Sequence, residues 1–266
     1  MSKHGSARVV LAGAAIAATA ALAGCGGVPN GTKPDVPGEN AAGTAAAAAT
    51  SRLSSTAPLT AGQSAIAAKS FAKANSIPFP VAVGNTWVYQ TQSGGQTGRT
   101  TNRVVGAGPG SAGFRVTVSS TTDIGGSAST VVPVYTFYPD GTVGYPVPSV
   151  SGVPGSGSDI RWPDAAGLAS GKVYHSVLRI QGGSADVTVQ GTGTTSISVP
   201  AGTYRASVVK TTIAAQGQTV EVTVWIAQGT GPVKIQVLVR APGGTGLTTN
   251  ELLSFTKAVS AIGDGS

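Results

Sequence analysis

The chain is poor in the residues that most chemistry needs. Its 266 residues include one cysteine, one methionine, two histidines and only 10% charged side chains. A lone cysteine excludes an internal disulfide. Only one histidine, His175, lies beyond residue 24. Aromatics make up 5% of the chain, so any core is thin. The formal charge is +7, and without Lys3 and Arg8 it falls to 15 Lys/Arg against 10 Asp/Glu, with no cluster. Nucleic-acid binding leaves a basic stripe or patch, so a nucleic-acid partner is excluded. What remains is a mild attraction to an anionic surface, such as a lipid headgroup layer.

What the chain does have begins at its N-terminus. Two cations, Lys3 and Arg8, precede 16 uncharged residues, "VVLAGAAIAATAALAG" (9–24). That run is shorter than the roughly 20 apolar residues a spanning helix requires, and it ends on small residues, as a signal peptide does. Leu22, Ala23, Gly24 and Cys25 together resemble the bacterial lipobox. The resemblance implies that a diacylglycerol joins the Cys25 thiol and that the peptidase reads Leu22, Ala23 and Gly24 before cutting there. Two acyl chains hold a protein to a membrane stably, whereas one is marginal. The plain alternative is a coincidental cysteine in an ordinary signal peptide or single-span anchor.

Residues 25–77 read as the lipidated cysteine and a flexible linker rich in Gly, Pro, Ala, Ser and Thr. About 30 such residues reach roughly 30 Å as a random coil, enough to lift a domain clear of headgroups. Within it, 60–74 is either a short helix or more linker, since Thr60 and Gln63 have capping-box spacing but the apolar face is weak. From 78 to 260 the pattern changes to period-two alternation rich in Val and Thr. About a dozen antiparallel strands with no interior helix are expected, forming an all-β half-barrel or curved sheet. The stretch 145–172 breaks the rhythm and reads as one long loop. It brings together Asp159, Arg161, Trp162 and Asp164, a candidate binding edge, or else a solvated crossover between two halves of the sheet.

Catalysis has little material. His175 has no cysteine partner and no Gly-x-Ser-x-Gly elbow. Asp159 and Asp164 could serve glycan hydrolysis, but nothing in the sequence sets them across a cleft. No ligand spacing suits zinc or calcium, and no cofactor is expected. "GPGSAG" (108–113) matches a dinucleotide fingerprint, yet the strand-like "FRVTVSSTT" follows where a helix is required, so it reads as a hairpin turn. The chain is therefore expected not to be an enzyme. Inward residues should include Trp87 or Tyr89, Val116, Val118, Val208, Val222, Val224, Ile235 and Val237. Such a stripe is core first and ligand cavity second; an apolar hollow above about 300 Å³ would favour a carrier.

Three segments carry a further resemblance. Gly84, Asn85, Trp87 and Tyr89 follow a proline-rich lead. Pro200, Ala201, Gly202, Thr203 and Tyr204 form a turn into a strand. Trp225, Ala227, Gly229, Gly231, Val233 and Lys234 complete the set. Together they resemble uncharacterised secreted bacterial β-proteins akin to lipoprotein carriers of the LolA/LolB type, although Ile226 stands where those have Tyr or Phe. The resemblance implies an antiparallel half-barrel and no particular activity. Gly202 then serves a turn and Trp225 fills the thin core, so its loss should unfold the domain.

The sequence thus leads to a bacterial lipoprotein on the extracytoplasmic face of the cell membrane. Its β domain would bind a lipid, an acyl chain or an envelope lipoprotein; the alternative is an envelope interaction or scaffold protein with a filled core. In a bacterial host, Cys25→Ser should abolish incorporation of radiolabelled palmitate into the chain. Undiminished labelling would rule out thiol-directed lipidation.

Overall fold

The structure, a computed structural model, describes residues 79–146, 159–180 and 183–258. Leu22, Ala23, Gly24, Cys25, the linker and the 60–74 segment lie outside the described residues.

The strands form two meanders. The first contains β1 (Thr86–Ser93), β2 (Gln96–Pro109), β3 (Phe114–Ile124), β4 (Ser127–Val131) and β5 (Val134–Phe137). It ends in the short β6 (Val143–Pro146) and β7 (Asp159–Trp162). The second contains β8 (Val173–Ile180), β9 (Gly183–Val199), β10 (Gly202–Ala215), β11 (Gln218–Ala227), β12 (Gly231–Ala241) and β13 (Gly244–Thr256). Between them sits one helical turn and a little more, α1 (Ala165–Ala169). All pairings are antiparallel, in the order β7-β6-β5-β3-β2-β1-β13-β12-β11-β10-β9-β8, with β4 on β3. The meanders join where β1 pairs with β13. The two edge strands, β7 and β8, approach each other, so the sheet curls into a nearly closed barrel. The gap is spanned by 163–172.

Short turns make these meanders possible. Gly94 and Gly95 link β1 to β2 with φ of +56° and +80°, the twist a tight hairpin needs. The fingerprint-like 108–113 is indeed a hairpin turn, in which the Gly110 amide donates to the Gly113 carbonyl at 2.7 Å. Pro133 cannot donate to a ladder; β4 and β5 pair with successive halves of β3 on either side of it.

Two expectations are corrected here. The region 145–172 is not one loop, because it holds the end of β6 and all of β7 and α1, the last two too brief for the alternation signal to reveal. Nor is Trp225 buried within the core, although it packs against its edge. Val220, Val222, Val224 and Ile226 of β11 are buried inside the barrel, and strand parity sends Trp225 to the opposite face. There it is half-buried with the Lys234 ammonium 5.7 Å from its ring centre, while Lys234 pairs with Glu251 at 2.7 Å. Glu221 on the same outer face binds Lys210 and Arg240; hydrogen bonds from these two, Lys210 first, lower its pKa.

The core belongs to β1. Both Trp87 and Tyr89 are fully buried. The Trp87 indole donates to the Thr230 carbonyl at 2.6 Å, and the Tyr89 hydroxyl donates to the Pro232 carbonyl at 2.9 Å. Trp87 packs between Phe79 and Phe255, with centroids 5.4 and 5.2 Å away. Gly231 is fitted to this contact: its φ is +87°, and a Cβ would press on Pro80 and the Trp87 indole. Deeper in the barrel, Thr91 hydrogen-bonds Thr100 at 2.7 Å and Asn250 at 2.6 Å, and Thr100 hydrogen-bonds Thr122 at 3.0 Å. That buried polar row is paired, as burial demands.

Trp87→Ala should lower the unfolding free energy by about 3–5 kcal/mol in urea titration. Trp225→Ala should cost about 1 kcal/mol or less. Equal losses would contradict the placement of the two rings.

Candidate functional site

Beneath α1, the inner face of the sheet is not filled. A hollow of about 200 Å³ lies there. Val222, Val224 and Ile226 of β11 form its floor with Ile235 of β12. Trp162, Pro163 and Leu168 form the roof, and Phe79, Tyr135 and Phe137 close one end. Ala165, Ala169, Gly193 and Thr194 line it and are exposed, which marks the mouth between α1 and β9.

Glycines keep the walls apart. Val208 pairs with Gly193 and Val209 with Gly191, so Thr192 is an extra residue in β9. Gly193 adopts φ +104° at this bulge. Alternation on β10 is consequently broken: Ala206 and Val209 are both buried, and Ser207 and Val208 between them are half-buried against the hollow. Gly191 has a second duty, since a Cβ there would collide with the Leu168 carbonyl. A strand that bulges and lacks a side chain at that point gives α1 its seat.

The turn that forms α1 follows from local chemistry. Asp164 caps it, its Oδ1 accepting the Gly167 amide at 2.8 Å. Ser170 closes it, its hydroxyl donating to the Gly167 carbonyl at 2.8 Å. Pro163 before the cap cannot extend the pairing of β7. Asp164 is half-buried and is the one charged side chain lining the hollow among the described residues. Tyr89, deeper in the barrel, stays neutral: burial, and next the nearby Tyr135, push its pKa well up.

Of the four residues of the expected binding edge, the structure brings two to the hollow, Trp162 and Asp164. Arg161 points the other way. Its guanidinium lies 3.6 Å above the Tyr138 ring centre and 3.4 Å from Asp140. Strand parity requires this separation from Trp162. Asp159 starts β7 opposite Pro146. Among the inward set, Val222, Val224 and Ile235 are buried as expected, whereas Val208 is half-buried at the hollow. His175 is exposed on β8. No group of three or more His, Cys, Asp or Glu that could hold a metal occurs among the described residues. Sequence reasoning missed Phe79, Leu168 and Ser207. The glycine pair in "QGTGT" (190–194) was the available signal, because glycines inside a strand pattern mark a bulge.

No protein-family profile and no curated protein matches this chain. Two solved structures are similar to it. One is a "putative lipoprotein" from Parabacteroides distasonis ATCC 8503, at 16% identity and TM-score 0.49, covering 68% of this chain and 98% of that one. The other is a "putative exported protein with YmcC-like fold" from Bacteroides fragilis NCTC 9343, at 18% identity and TM-score 0.44, covering 67% of this chain and 98% of that one.

Gly191→Val should lift α1 from β9, lowering stability by about 1–3 kcal/mol through overpacking and opening 159–172 to limited proteolysis. An unchanged melting temperature and unchanged protection would show that α1 is seated otherwise.

Proposed function

We propose that this chain is a lipid-anchored protein of the bacterial envelope whose β domain holds one acyl segment beneath α1. The observation that carries the reading is the apolar hollow, held open by the β9 bulge and walled by Val222, Val224, Ile235, Trp162 and Leu168. Anchoring rests on Leu22, Ala23, Gly24 and Cys25, and the β domain is read as a binding module rather than a catalyst.

Size limits the ligand. The hollow falls short of the roughly 300 Å³ at which ordinary ligand pockets begin. An apolar cavity of about 150 Å³ accepts benzene, so this one suits a segment of about six to eight carbons and not a whole lipid. At about 0.8 kcal/mol per buried methylene, six of them contribute about 5 kcal/mol before the costs of association. The same small volume favours a second reading, an envelope scaffold protein that takes no small ligand.

Organic extraction of the purified domain (78–260), followed by mass spectrometry, separates the two. One acyl-bearing molecule per protein is expected, and Ser207→Phe, which fills the hollow, should release it while circular dichroism stays unchanged. A ligand-free domain that also fails to take up added acyl compounds would favour the scaffold.

A further inference from the structure

We infer that the acyl segment belongs to a molecule whose head donates hydrogen bonds and carries no negative charge, such as a monoacylglycerol, and not to a free fatty acid; this rests on the acyl-binding reading above. The chemistry of the mouth decides the head. Asp164 is the one charged side chain of the lining among the described residues. Its Oδ1 is committed to the Gly167 amide, and no hydrogen bond to Oδ2 is present among the described residues. An ionised carboxylate only accepts hydrogen bonds, so its complement is a donor. A second carboxylate brought beside it would meet a like charge and no lining cation to offset it.

Two hydroxyls complete the setting. Ser207 is half-buried in the wall and Thr194 exposed at the mouth, on adjoining strands where β10 meets the β9 bulge. Neither side chain is hydrogen-bonded among the described residues. Hydroxyls both donate and accept, so they suit the carbonyl of an ester next to the chain, while Asp164 takes a hydroxyl of the head. Arg161, the nearest cation in sequence, is turned outward onto Tyr138 and Asp140 and does not line the hollow. The arrangement discriminates by charge at the mouth and by shape within.

The test uses the full chain in isolated membranes at alkaline pH, where a fatty acid is ionised. Three photo-crosslinking probes share one diazirine-tipped chain and differ only in the head: carboxylate, glycerol ester or ammonium. Labelled peptides are mapped by mass spectrometry to the lining segments, 162–169 and 220–226. The glycerol ester should label them about tenfold more than the free acid, equivalent to about 1.4 kcal/mol. Asp164→Asn keeps a good helix cap and should raise labelling by the acid, narrowing the gap with little change for the ester. Ser207→Phe should abolish both signals.

Equal or stronger labelling by the acid would overturn the inference, as would an Asp164→Asn variant that leaves the ratio unchanged. Labelling by the ammonium probe no stronger than by the acid would overturn the charge discrimination assigned to Asp164. In each of those outcomes acyl binding itself still stands. Failure of all three probes to label the lining segments would instead remove the acyl-binding reading and the inference with it.

Discussion

The fold depends on the seam between its first and last strands. β1 pairs with both β2 and β13, so the two meanders become one sheet only if β1 is held in the middle. Trp87 and Tyr89 hold it there by reaching past β13 to the carbonyls of Thr230 and Pro232. These bonds span 143 residues of sequence. They also give donors to the carbonyls of Thr230, in the β11–β12 turn, and of Pro232, in β12. With a thin core and few aromatics, the chain concentrates its largest buried side chains at this one place.

From the seam the rest of the architecture follows in both directions. The meanders run outward until their edges, β7 and β8, meet across a gap. An open edge invites pairing with another chain, and α1 with its flanking residues lies across the approach. The helix is short and could not stand alone. Its cap at Asp164, its closure at Ser170 and its seat on Gly191 define it. The hollow is what remains between that plug and the floor of β11 and β12.

Two kinds of interior therefore coexist. Near the seam, Thr91, Thr100, Thr122 and Asn250 form a buried, paired polar row. Beside that row, on β11 and β12, Val222, Val224 and Ile235 present apolar surface to an incompletely filled space. Polar pairing fixes register, while apolar surface tolerates a guest. Putting them on different strands lets one side specify the fold and leaves the other incompletely filled.

The alternation of Val and Thr and the glycine-marked turns were enough to determine an all-β antiparallel domain and most of its strands, because period two is a local property of the chain. The inward parity of Val222 and Val224 was equally local, and carried one residue further it turns Trp225 outward, against the expectation that this ring fills the core. What only the tertiary structure decided is which wide-spaced elements meet. Nothing local announces that β1 pairs with β13, that Phe79 plugs one end of the hollow, or that Leu168 lies over Gly191. Of Asp159, Arg161, Trp162 and Asp164, proximity in sequence suggested one edge. Strand parity divided Arg161 from Trp162, while Asp164, capping α1 through the Gly167 amide three residues on, lines the space beside the β9 bulge.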